Sequence, residues 1–237
     1  MKRQVTVILL AGLIQFLPAV DSAGLLPYLA DDAGWSRLKI TPDGQTLYRK
    51  DLQVTFPALK IEQEVAVAPE VVMAVFNDIE NYPAFFKSAS RATFRVLRRE
   101  GQRVDAYQHL NVPLLADRHY LFRLNGPQPL SNTTGQSASW VVLDPAAEYG
   151  SEIDLARNQQ PNLIYLRYGA GQLRVEPTAA GLTRISYRLI LDPGGRLPLF
   201  LVEMLNEKGL TGLFRDVIDE SLRRSGEALV NSPNQRD

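Results

Sequence analysis

The chain has 237 residues, of which 45% are hydrophobic and 22% charged, values suited to about one large, well-buried domain and not to disorder along the whole length. Its 26 basic and 26 acidic residues cancel, so there is no electrostatic footprint for nucleic acid or a strongly anionic partner. With no cysteine, a disulfide framework, a thiolate zinc site, a cysteine nucleophile and a lipidated N-terminal cysteine are excluded.

At the N-terminus Lys2 and Arg3 precede an apolar run from Val5 to Leu17, interrupted by Thr6 and Gln15 and closed by Pro18. This is the organisation of a secretory signal peptide, and the run falls short of the roughly 20 apolar residues that cross a bilayer. Cleavage after Ser22 is expected, giving a signal at 1–22 and an exported chain, with the bacterial periplasm as the expected compartment. No later segment is long enough to span a membrane.

A lead-in at 23–44 carries a short helix or irregular stretch from Leu25 to Gly34 and a turn at Pro42-Asp43-Gly44. Leu47 to Thr55 alternates weakly. Leu59 to Val67 alternates clearly and predicts a strand with one face buried. Pro69 stands where a helix's first turn tolerates it, Glu70 suits the positive end of the helix dipole, and Val71, Val72, Val75, Phe76 and Ile79 recur at helical spacing. Asn81-Tyr82-Pro83 interrupts that helix, and a second short one carries Ala84, Phe85 and Phe86.

From Ser90 to Asp192 the pattern predicts strands over 91–99, 103–112, 118–124, 138–143, 163–168, 171–177 and 182–192. Turns at Gly101-Gln102, Asn125-Gly126-Pro127, Ala180-Gly181 and Pro193-Gly194-Gly195 make this an antiparallel meander. In the last strand Ile185, Tyr187 and Leu189 share one face and Arg184, Ser186 and Arg188 the other, so one side is expected buried and the other wet. Missing crossover helices exclude a parallel βαβ series. An amphipathic helix from about Pro198 to Arg224 ends the domain, with a bend or break expected at Gly209 and Gly212, each costing about 1 kcal/mol relative to alanine. Residues 226–237 read as a loose tail.

Three stretches go further. Val65-Ala66-Val67-Ala68-Pro69-Glu70 running into Asn77-Asp78-Ile79-Glu80-Asn81-Tyr82 gives a strand, a small-Pro-Glu helix start and a D-x-E-x-Y segment. Val112-Pro113 to Asp117-Arg118 is similar to a P-x-x-x-R-D strand start, with the order here Asp-Arg. Gly169 to Leu201 contains Gly171-x-Leu173, Pro177, Gly181-Leu182-Thr183 and Asp192-Pro193-Gly194-Gly195-x-Leu197-Pro198. Over about 45–225 the chain thereby resembles the START-like (SRPBCC) superfamily of lipid- and polyketide-binding domains, with likeness to coenzyme-Q-binding and polyketide-cyclase-type members. The resemblance implies an α+β helix-grip fold, a curved antiparallel sheet wrapped around a long C-terminal helix.

A curved sheet closed by one helix leaves space that side chains or a ligand must fill. The inward candidates are Tyr120, Phe122, Trp140, Tyr165 and Tyr187 on strands, and Leu201, Met204, Leu205 and Phe214 on the helix. Buried rings with polar tips suit a hydrophobic ligand with one polar group, and equally suit an ordinary core. Arg118 shares parity with Tyr120 and Phe122; it either meets a ligand's polar head or sits at the strand mouth paired with Asp117 or water. The Gly209–Gly212 break, faced by Tyr82 to Phe86, is either a ligand gate or a flexible connection.

His109 and His119 share parity with Asp105 and Arg123 and are expected exposed, with no third ligand for a metal. No nucleophile elbow, phosphate loop, dinucleotide fingerprint or paired-histidine zinc motif occurs. The expected function is an exported protein that binds or transfers a hydrophobic small molecule or lipid, with transient membrane contact, no cofactor, no metal, no nucleic acid and no catalysis. The alternatives are a polyketide cyclase or dehydratase, or an interaction module whose cavity is filled.

Overall fold

The computed structural model describes residues 21–52, 56–88, 92–112, 115–131, 134–144, 148–195, 197 and 199–230, with backbone alone at 199–201, 203 and 227–230. The signal run from Val5 to Pro18, Gln53–Thr55 of the first predicted strand, Pro113, Pro198, the Leu201 side chain and the tail beyond Val230 lie outside the described residues.

Alternation builds the sheet. Strands β1 (Ser36–Ile40), β2 (Thr46–Lys50), β3 (Ala58–Val65), β4 (Ala92–Glu100), β5 (Arg103–Leu110), β6 (Arg118–Pro129), β7 (Gln136–Val142), β9 (Gly169–Pro177) and β10 (Thr183–Leu191) form one antiparallel path. Their order is β1-β2-β3-β10-β9-β7-β6-β5-β4, and β8 (Ile164–Tyr165) joins the start of β6 in parallel, His119 opposite Tyr165. The sheet does not close; β1 and β4 are its edges. Helix α1 (Leu26–Ala30) precedes it, and α2 (Pro69–Asn77) follows β3 with Pro69 in its first turn and Val72, Met73, Val75 and Phe76 buried. Next come α3 (Tyr82–Phe85), α4 (Gly150–Gln159) and α5 (Leu199–Val230). The concave face closes on α2, α3 and α5 through Leu47, Ile61, Phe76, Phe86, Leu173, Ile185, Leu210, Phe214 and Val217, all buried. This is the α+β helix-grip fold.

Several details differ from the pattern-based expectation. Asn125-Gly126-Pro127 is not a turn; β6 runs through it with a register shift between Asn125 and Gln128. Such an irregularity adds local twist and bend to a strand. Helix α5 is unbroken across Gly209 and Gly212 and continues to Val230, beyond Arg224 and into the expected tail. Gly212 is there for contact: a β-carbon at that position would come within 2.6 Å of the Ser88 β-carbon. The predicted strand over 163–168 shortens to two residues, and β1 and α4 have no counterpart among the predicted elements.

The wet side of β10 is in fact covered. Ser186 and Arg188 are buried, because residues 21–35 lie across the convex face. Leu25 and Leu29, fully buried, join Ala58, Ala170 and Ile190 in a second apolar cluster. Arg188 donates to the Leu29 carbonyl at 2.6 Å and pairs with Asp32, which also takes Arg174 at 3.2 Å. Lys50 pairs with Asp31 at 2.8 Å, and Lys50, Lys60 and Arg188 all lie within 6 Å of the Trp35 ring. Burying the two leucines stabilises this attachment by about 1.5–3 kcal/mol each.

Candidate functional site

The concave face and the helices line a void of about 50 Å³. Phe76 reaches it from α2, Tyr82 and Phe86 from α3 and its end, Phe94 from β4, Gln108 from β5, and Tyr120, Phe122 and Leu124 from alternate positions of β6. Trp140 of β7, Tyr187 of β10 and Leu213 of α5 complete the wall. The rings interlock: Tyr82 lies tilted at 4.1 Å on Phe86 and meets Phe94 edge-on at 5.2 Å, while Tyr120 lies 6.2 Å from Trp140. Gly171 lies opposite Trp140 on β9, and any side chain there would collide with the indole.

The polar tips are tied to the wall. The Tyr82 hydroxyl donates to the Phe76 carbonyl, Tyr120 donates to Gln108 Oε1, and Trp140 Nε1 donates to the Tyr187 hydroxyl at 2.8 Å. Burial raises the pKa of all three tyrosines, so they stay protonated at neutral pH and act as hydrogen-bonding groups. The Tyr187 proton and the Gln108 amide N–H groups have no acceptor among the described residues. Two unspent donors therefore belong to a wall that is otherwise almost wholly apolar.

Of the residues singled out by pattern, Tyr82, Phe86, Tyr120, Phe122, Trp140 and Tyr187 come together here, and Phe214 is buried beside Leu213. Tyr165 does not. Its parallel pairing with His119 puts it on the convex face, where its hydroxyl bonds the Leu143 carbonyl at 2.7 Å. Met204 is 40% exposed, because it lies about 200° around α5 from buried Val202. Leu205 is half-buried. Arg118 is buried, but its guanidinium meets the Pro193 carbonyl at 3.2 Å and the Ala116 carbonyl, whereas Asp117 pairs with His109 at 3.0 Å. His119 is also buried, under α4 and β8, instead of exposed. Pattern reading does not single out Phe76, Phe94, Gln108, Leu124 and Leu213 as wall residues; they sit on neighbouring elements whose facing positions depend on strand register.

The two halves of α5 are held differently. In the C-terminal half Asp216 accepts the Ser88 amide at 2.8 Å and its hydroxyl, and Arg224 bridges Asp78 and Glu220 at 2.7 Å each. Arg223, then Arg224, draws the Glu220 pKa down to about 2. In the N-terminal half the side-chain ties to the sheet among the described residues are Asn206 to the Leu191 carbonyl at 3.0 Å and Glu207 to Lys39. Two larger hollows, of about 430 and 530 Å³, open on the surface beside Asn77 and Arg99 and beside Asp78 and Arg224. The second is lined by this same charged clamp. Among the described residues, no cluster of three His, Asp or Glu could hold a metal, and no helix is long and apolar enough to cross a membrane.

Comparison with solved structures shows the same fold in START-related proteins. Human STARD10 superposes with a TM-score of 0.65 at 15% identity, covering 90% of this chain and 84% of that one. A STAR-related lipid transfer protein from Xanthomonas axonopodis gives 0.63 at 14% identity, over 79% of this chain and 98% of its own. Human StAR-related lipid transfer protein 5 gives 0.61 at 14%, over 85% and 92%. No family model and no curated protein matches the chain.

Proposed function

We propose that this protein is an exported carrier that holds a lipid or similar hydrophobic molecule between the concave face of the sheet and α5, without catalysing a reaction. The observation that carries this reading is the aromatic wall around the 50 Å³ void, with two unspent donors for one polar group. The names of the Xanthomonas and human neighbours, lipid transfer proteins, agree with it. Export rests on the N-terminal sequence, where Lys2, Arg3 and the run to Leu17 have the form of a signal.

Ligand pockets measure roughly 300–1,000 Å³, so an acyl chain enters only when part of the wall moves. The lightly tied N-terminal half of α5 is the part that moves. Exposed Met204 on that half, with exposed Leu38 and Ile40 on the edge strand tied to it through Lys39 and Glu207, suits transient contact with a membrane during loading. The small volume favours a second reading, an interaction module whose interior is filled by its own rings. Native mass spectrometry of protein purified from its host's periplasm separates the two. A co-bound lipid, identified after extraction, is expected; a clean unliganded mass together with no melting-temperature shift across a lipid panel sinks the carrier and leaves the filled module.

A further inference from the structure

We propose that Arg118 is the headgroup site for an anionic amphiphile, a carboxylate or phosphate carried on a hydrocarbon chain. This rests on the carrier reading and adds the ligand's chemical class. Arg118 opens β6 on the same parity as Tyr120, two residues before it, and so lies about 7 Å along the strand from the wall of the void. The residue is 3% exposed.

A buried guanidinium is costly unless its charge is met. Here it is oriented by neutral groups and feels the nearest carboxylate, Asp117, only through space. Nε and Nη1 donate to the Pro193 and Ala116 carbonyls, which are neutral, and no carboxylate of the described residues pairs with it. The adjacent carboxylate is spent elsewhere, since Asp117 gives one oxygen to His109 and the other to Asn111, both at 3.0 Å. Nη2 has no hydrogen-bond partner among the described residues and lies beside Gly195, where even a β-carbon would stand 4.0 Å away. Burial lowers the arginine's pKa and the charge of Asp117 partly opposes this, and a guanidinium keeps its proton throughout the physiological range. A two-oxygen anion is the partner that matches a planar guanidinium, and charge-assisted bonds of this kind are about twice as strong as neutral ones. With its head at Arg118, a chain running along β6 passes Tyr120 and Phe122 and reaches Leu213.

The test uses three probes with one chain and different heads: palmitate, hexadecyl phosphate and hexadecanol, titrated into the full-length processed protein. Both anions are expected to bind at least about tenfold tighter than the alcohol, and the tighter of the two names the physiological head. Arg118→Gln should erase that preference by weakening the two anions far more than hexadecanol, and Arg118→Lys should keep part of it; melting curves check that each variant folds. Wild-type selectivity decides the matter even where a variant does not fold. Equal binding of all three probes overturns the headgroup site and leaves the carrier intact, whereas binding of none overturns both.

Discussion

His119 illustrates what a single position can hide. Its ring lies on the convex face, 5.2 Å from Tyr165 and with Nδ1 3.2 Å from the Tyr107 hydroxyl, and Nε2 has no hydrogen-bond partner among the described residues. Burial, then the positive charge of Arg157, lowers its pKa to about 4 from an ordinary 6.5. The unfolded chain therefore takes up a proton between pH 6.5 and 4 that the folded chain refuses, and stability falls as pH drops through that window. Urea unfolding should show a loss of about 1–2 kcal/mol from pH 7 to pH 5 that His119→Asn removes; an identical loss in the variant contradicts the assignment. Gly171 makes a sharper point about space. Gly171→Ala drives a methyl into the Trp140 indole and is expected to cost about 1–3 kcal/mol in thermal or chemical unfolding, with changed tryptophan emission. A stability within 0.5 kcal/mol of wild type, on the order of a neutral surface change, would refute the close contact. Neither position was legible by parity alone. Alternation says which side chains share a face, and it does not say that α4 and β8 cover that face.

At the level of elements, helix α5 is where sequence and structure part most clearly. The cost of two internal glycines predicts a break, but the helix continues because Gly212 accommodates Ser88 and because the Asp216, Glu220 and Arg224 contacts hold its later turns. The asymmetry of those ties has a measurable consequence. Hydrogen exchange should be faster for amides over 203–209 than over 214–224, by about tenfold or more if the halves open separately. Uniform protection along the helix would remove the moving half from the loading mechanism. By contrast α2 and β10 were legible in outline: Pro69 and Glu70 start the one, and period-two alternation marks the other.

For the whole molecule, the convex face matters as much as the concave one. Residues 21–35 bury Leu25 and Leu29 and supply Asp31 and Asp32 to Lys50, Arg174 and Arg188. A chain beginning at residue 36 loses that burial and leaves Arg188 without its counter-charge. Its melting temperature should fall by about 10 °C or more, given roughly 2–4 °C per kcal/mol for a domain of this size. An unchanged melting temperature would mean that the segment is ornamental. The same scale governs capacity. The volume of the void is a small difference between the curvature of the sheet and the bulk of eleven wall residues, so it is sensitive to where the helix sits.

Sequence alone determined the alternation of the strands, the start of α2, the amphipathic C-terminal helix and the resemblance to a helix-grip domain, because each is a local pattern set by periodicity and turn chemistry. Tertiary structure alone decided which rings meet around the void, that Tyr165 and Met204 lie outside it, that His119 is covered, and that Arg118 is buried with no carboxylate of the described residues paired to it. Those outcomes depend on register, helix phase and what covers each face, and all three are set by contacts between residues far apart in the chain.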